Sequence, residues 1–118
     1  MIKVVVVYRE PGSSKLDYSL EFDLPGLPAV GDYISVQRAD VDSPLGEDLI
    51  VRRLWWRLKH PSPTTGGKLP TVGKMTELFV ECDRATGPYS TKAWTDQAMR
   101  YRDVLGIEIA EMDVSPRR

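Results

Sequence analysis

Residues 48–60 read DLIVRRLWWRLKH and residues 76–84 read TELFVECDR. Both stretches alternate. In the first, Ile50, Arg52, Leu54, Trp56 and Leu58 share one face of an extended chain, and Val51, Arg53, Trp55, Arg57 and Lys59 share the other. In the second, Thr76, Leu78, Val80 and Cys82 alternate with Glu77, Phe79, Glu81 and Asp83. Leu and Arg would also suit a helix, but the alternation and the tryptophan pair favour strands. An antiparallel register with Arg57 opposite Glu77 sets Trp55 against Phe79 and Arg53 against Glu81. The other face then joins Trp56 to Leu78 and Leu54 to Val80. Polarity matches on both faces at once, so the two segments are expected to zip into a cross-strand ladder.

The strands before them follow the same logic. Residues 2–10 are a continuous β-branched run, and residues 16–24 put Leu16, Tyr18, Leu20, Phe22 and Leu24 on one face. A hairpin that sets Val6 opposite Leu20 also pairs Ile2 with Leu24, Val4 with Phe22 and Tyr8 with Tyr18. Lys3 then meets Asp23, and Arg9 meets Asp17. A slip of one residue would send the two apolar faces to opposite sides, so this register is well specified. Two prolines and two glycines in LPGLPAVGD (residues 24–32) bar regular structure as far as a Gly31-Asp32 turn, which feeds a strand over 33–37. Such a turn recurs in many small barrels and is too short to single out a family.

After residue 90 the period changes. Trp94, Ala98, Tyr101 and Leu105 recur at helical spacing, Ser90 or Thr91 can cap the start, Asp96 lies near the positive end, and Gly106 stops the helix. The spacing predicts a helix over 91–105, a short edge strand within IEIAEMDV, and a frayed tail over 115–118. The whole 1–118 reads as a single domain, mainly β (α+β). A twisted antiparallel sheet of about five or six strands (2–10, 16–24, 33–37, 48–60 and 76–84 among them) curls toward a small barrel with one C-terminal helix. Trp56, Leu54, Val80, Leu78, Val4, Val6, Leu20 and Phe22 are the expected core, with Trp94, Tyr101 and Leu105 docking the helix.

Composition narrows the function. The chain has 118 residues, 16 Lys plus Arg against 17 Asp plus Glu, and a net charge of −1, which is not the balance of a dedicated polyanion binder. Its one Cys excludes an internal disulfide and a Cys-built zinc site. No apolar run reaches the roughly 18 residues of a membrane span, and the opening MIKVVVVYRE is too short for a signal peptide. A cytoplasmic protein without a membrane partner or cofactor is the expectation.

Few residues offer chemistry. Arg53, Trp55, Arg57 and Lys59 could track phosphates and stack a base of a single-stranded nucleic acid. The ladder opposite Glu77, Phe79 and Glu81 would cancel that charge. A Trp55 left uncapped and open to solvent would favour the nucleic-acid reading over the quiet one. Arg52, on the apolar side facing Cys82, is expected at a rim, snorkelling to water. Between about Lys59 and Met75 lies a long loop with Gly66-Gly67-Lys68, and Lys68 is its candidate contact. It is no phosphate loop, because Ser62 stands where the first Gly belongs and Leu69 follows the Lys. The acids Asp40, Asp42, Glu47 and Asp48 fail the calcium-loop pattern at Pro44 and Leu45. Cys82 and His60, the only thiol and the only imidazole, fall too far apart on this register for a dyad.

The sequence therefore points first to a non-catalytic protein-interaction or assembly module, partnered by another protein or by its own copy. Single-stranded nucleic-acid binding through Arg53, Trp55, Arg57 and Lys59 is the second reading. A small enzyme or ligand carrier, which needs a concave pocket with converging polar groups, is the third.

Overall fold

The computed structural model describes residues 2–8, 18–40, 46–61 and 72–111. They form β1 (Ile2–Tyr8), β2 (Tyr18–Leu24), β3 (Tyr33–Gln37), β4 (Gly46–Lys59), β5 (Lys74–Thr86), α1 (Lys92–Leu105) and β6 (Ala110–Glu111). The protein is mainly β: one curled sheet in the order β2-β1-β5-β4-β3, with β6 on β5, makes a half-barrel carrying one helix.

β4 and β5 zip as their alternation demands. Arg57 faces Glu77, Trp56 faces Leu78, Trp55 faces Phe79, Leu54 faces Val80 and Arg53 faces Glu81. The register then breaks. Val51, not Arg52, faces Cys82, so Arg52 is the extra residue of a β-bulge. Below the bulge Val51 and Leu49 point into the core, where the strict alternation had placed Arg52 and Ile50. Arg52 is thus displaced from the apolar side. It is exposed and meets Asp83 at 3.1 Å. A second irregularity lies between Arg57 and Leu58: Leu58 faces Met75, which leaves Thr76 as the extra residue on β5.

β1 and β2 pair in the expected register from Ile2 opposite Leu24 to Tyr8 opposite Tyr18. Lys3 faces Asp23 across the ladder, but its ammonium reaches diagonally to Glu21 at 3.2 Å. The Arg9–Asp17 pair lies outside the described residues, as do the 115–118 tail and Lys68. The sheet is mixed rather than antiparallel. β1 runs parallel to β5, with Val6 beside Val80, and β6 pairs parallel with Ala85–Thr86. A central strand must be apolar on both sides, which is what the unbroken Val4–Val7 run supplies. Val4, Val6 and Tyr8 are buried on the concave face and Val7 on the other.

The concave face holds the core: Val4, Val6, Val36, Leu49, Val51, Leu78, Val80 and Cys82, with Leu20, Phe22 and Leu54 packed against it and partly covered. Trp56 does not join it. It is 45% exposed, because β1 flanks β5 only along Phe79–Cys82 and nothing described covers the face above Trp56.

The 25–32 linker is pinned beside the bulge. Gly31 donates to the Val51 carbonyl and Val51 N–H to the Asp32 carbonyl, each at 2.8 Å. Gly31 takes φ +97°, open to glycine and costly for other residues. The Asp32 carboxylate accepts from Ala29 N at 2.8 Å and closes the turn into β3.

α1 begins at Thr91, whose hydroxyl accepts from Trp94 N at 3.1 Å. It ends at Gly106, left-handed at φ 68°, where the Ile107 N–H reaches the Tyr101 carbonyl at 3.0 Å. Asp96 serves an i,i+4 pair with Lys92 at 2.9 Å rather than the helix start. Trp94 and Ala98 are buried, and Tyr101 is partly so. Leu105 is exposed, since the last turn runs past the residues that Trp94 and Ala98 pack on.

Candidate functional site

Strand lengths build the most distinctive surface. β3 pairs with β4 only from Gly46 to Ile50, and β1 with β5 only from Phe79 to Cys82. The β4–β5 ribbon, Arg53–Lys59 against Lys74–Glu81 and about 20 Å long, has no β3 along its β4 side, and from Trp56 and Leu78 outward it is two-stranded. No other described strand flanks its β4 edge.

The ribbon's outer face carries Arg53, Trp55, Arg57 and Lys59, so the structure brings these four candidate residues together. Opposite them stand Glu81, Phe79, Glu77 and Lys74. Arg57 Nη1 meets Glu77 Oε1 at 3.2 Å, and its guanidinium lies 5.0 Å from the Phe79 ring centre. The ladder forms, and with it much of the expected charge cancellation. Trp55 nevertheless remains 63% exposed. At the tip the cancellation fails: Lys59 and Lys74 are direct neighbours, a like-charge pair that costs rather than stabilises.

The inner face of the ribbon is apolar. Trp56 is partly open, Leu58 is 70% exposed, and Val72 is exposed just before β5 begins. Sequence reading missed these as contact residues. The signal was present in the run lengths, since a five-residue strand at 33–37 cannot cover a thirteen-residue one at 48–60.

The second concavity is the open seam of the half-barrel. Between β2 and β3 lies a cleft of about 590 Å³, lined by Phe22, Leu24, Leu27, Pro28, Ile34 and Val36 among others. Three of its polar neighbours, Asp32, Ser35 and Gln37, are already engaged. Asp32 holds Ala29 N, and Ser35 Oγ accepts from Gln37 Nε2 at 2.8 Å. The cleft exists, but converging catalytic groups do not line it. Its walls suit apolar side chains.

The opposite end of the seam is plugged. Arg84, 5% exposed, donates through Nη1 to the Tyr8 hydroxyl at 2.8 Å and through Nε to Glu47 at 3.3 Å. Its guanidinium sits 4.1 Å from the Tyr8 ring centre and 4.3 Å from that of Tyr101. Arg38 spans from the end of β3 to lie 5.4 Å from the Tyr18 ring centre on β2. The described acids of 40–48 are engaged within the fold: Glu47 holds Arg84, Asp48 accepts from Ser90, and Asp40 pairs with Arg38 at 2.7 Å, whereas Asp42 lies outside the described residues. Among the described residues no three His, Cys, Asp or Glu side chains gather as metal ligands.

Cys82 is a core residue. Burial first, then Asp83 and Glu81 nearby, pushes its thiol from an ordinary 9.0 up to about 12. The Tyr18 phenol is likewise raised, by burial and then by Glu47. Both folded values exceed the unfolded ones. The stabilisation from keeping these groups neutral is therefore whole below about pH 9 and is lost as pH climbs from there toward 12. Urea midpoints are expected to hold level between about pH 7 and 9 and to fall above it. A disulfide reagent at neutral pH should label Cys82 only after unfolding. Rapid labelling of the folded chain would contradict this burial.

No family model, curated protein or solved structure matches this chain. Among the described residues no helix is long and apolar enough to cross a membrane.

Proposed function

We propose that the chain is a non-catalytic interaction module that docks a protein partner through the β4–β5 ribbon. The observation that carries this reading is that both ribbon faces hold large apolar side chains open to water. Trp55 stands on one face, Trp56 and Leu58 on the other, beside an edge that no other described strand pairs. Clustered exposed apolar groups of this kind mark contact surfaces, and aromatic residues with Arg dominate their energetics. Edge backbone adds main-chain hydrogen bonds to an incoming strand.

The test compares two baits, the wild-type chain and a W55S/L58S double variant, in capture from an extract of the source cells. Proteins held by the first, the chain's own copy included, should be lost from the second. Identical captures would overturn the reading. Both side chains are exposed, so the double variant should fold.

The exposure of Trp55, together with the Lys59/Lys74 pair on its face, favours single-stranded nucleic acid as a second reading. Trp55 is open to water but not uncapped, since Phe79 stands opposite it, and Glu77 and Glu81 on that same face and the apolar inner face weigh against this reading. Saturable, salt-sensitive binding of an oligonucleotide at about 50 mM salt, abolished in W55A/R57A, would establish this alternative. Absence of binding there would end it.

A further inference from the structure

Of the sheet edges that stand open among the described residues, two carry opposite charge. One is the outer edge of β2, which pairs only with β1. The other is the edge of β4 from Arg53 to Lys59, which β3 leaves at Ile50 and the linker leaves at Val51. The β2 edge is acidic on its solvent face, through Glu21 and Asp23, and apolar on its concave face, through Leu20, Phe22 and Leu24. The β4 edge is basic on its outer face, through Arg53, Arg57 and Lys59, and apolar on its inner face, through Leu54, Trp56 and Leu58. The two edges are complements in charge and in polarity. Within one chain β1 and β5 separate them. Pairing the β4 edge with its own image would set cation against cation, which is unfavourable.

We infer, building on the docking reading above, that the partner is a second copy of this chain, each copy laying Arg53–Lys59 parallel along β2 of the other, the one direction in which the two free edges meet with their apolar faces on the same side. A register with Arg57 beside Glu21 sets Lys59 beside Asp23 on the outer face, and Trp56 beside Leu20, Leu58 beside Phe22 and Leu54 beside Tyr18 on the inner face. Lys3 and Glu77 already touch Glu21 and Arg57 within one chain, at 3.2 Å each, but on exposed surface where such pairs are weak and can be shared. The inner face of the added strand points to the same side as the concave face of β2. Trp56 and Leu58 therefore enter the cleft of about 590 Å³ beside that strand. Exchange in both directions uses each edge once and closes as a two-fold dimer. A one-way contact would leave an edge free at each end and propagate.

The test is sedimentation equilibrium of the full chain up to about 0.1 mM, with circular dichroism to confirm folding. The wild type should be a dimer. R57E and E21R should each weaken it about tenfold or more, since each reversal acts at both strand pairs. Mixing R57E with E21R should restore a dimer of unlike copies, one strand pair carrying swapped charges and the other the native ones. L58E, at an exposed position, should abolish association without harming the fold. A monomeric wild type overturns the inference, as do reversals and L58E that leave the dimer intact, or a mixture that fails to re-form it. A monomeric wild type leaves the docking reading to stand or fall on the W55S/L58S comparison, because a foreign partner would still distinguish those two baits.

Discussion

Trp94→Ala is expected to lower the unfolding free energy by about 3–5 kcal/mol, the range for deleting a large buried aromatic. Trp94 is 2% exposed and sits one turn into α1. Its indole Nε1 donates to the Ala85 carbonyl at 2.8 Å, and its ring meets Tyr101 edge-on at 6.3 Å between centres. Ala98 completes the buried stripe but is too small to anchor the helix alone. Removing the indole leaves a void against β5 and frees a carbonyl at the point where β6 joins the sheet. Urea unfolding followed by circular dichroism gives the value. A loss below about 1 kcal/mol would mean that α1 is not anchored through this side chain.

Arg84→Ala is expected to cost a similar amount, about 3–5 kcal/mol. The guanidinium lies between the Tyr8 and Tyr101 rings, bonded to the Tyr8 hydroxyl and to Glu47. Its removal empties the plug, strips Glu47 of its cation and takes from Tyr101 its tie to the sheet. Arg84→Lys should recover only part of the loss, because an ammonium lacks the flat fork that bonds two partners while stacking between rings. Glu47→Gln should cost less than Arg84→Ala, since the cation keeps both rings and the Tyr8 hydroxyl. If Arg84→Lys matches the wild type in the same urea titration, the stacked geometry contributes nothing.

Much of this architecture was legible in the residues. The β1–β2 and β4–β5 registers followed from matching two faces at once, a constraint that one-residue slips cannot satisfy. Thr91 and Gly106 bounded the helix by capping chemistry. The Arg52 bulge was not foreseen, because alternation was carried straight through Ile50-Arg52-Leu54. The three-residue step from Val51 to Leu54, both apolar, was its trace. The parallel β1–β5 pair was hidden for a different reason. Two strands far apart in sequence share no turn to fix their direction, and the unbroken valines say only that β1 is covered on both sides. Trp56 was assigned to the core because its strand face is apolar. Whether such a face is buried depends on what lies across from it, and that is set by the short reach of β1 and β3. The four outer-face candidates did come together, whereas Lys68 falls outside the described residues.

The placement of β5 has a consequence for how the chain is made. It is the last of the described long strands in chain order, and it sits at the middle of the sheet, joining β1 to β4. Until residues 74–86 emerge, β1–β2 and β3–β4 are two separate hairpins with their apolar sides unprotected. The parallel contact between Val6 and Val80 spans most of the chain and carries the largest loop-closure cost in the fold. On a ribosome this sheet would therefore close in one step, once residues 74–86 have emerged, rather than growing outward from β1.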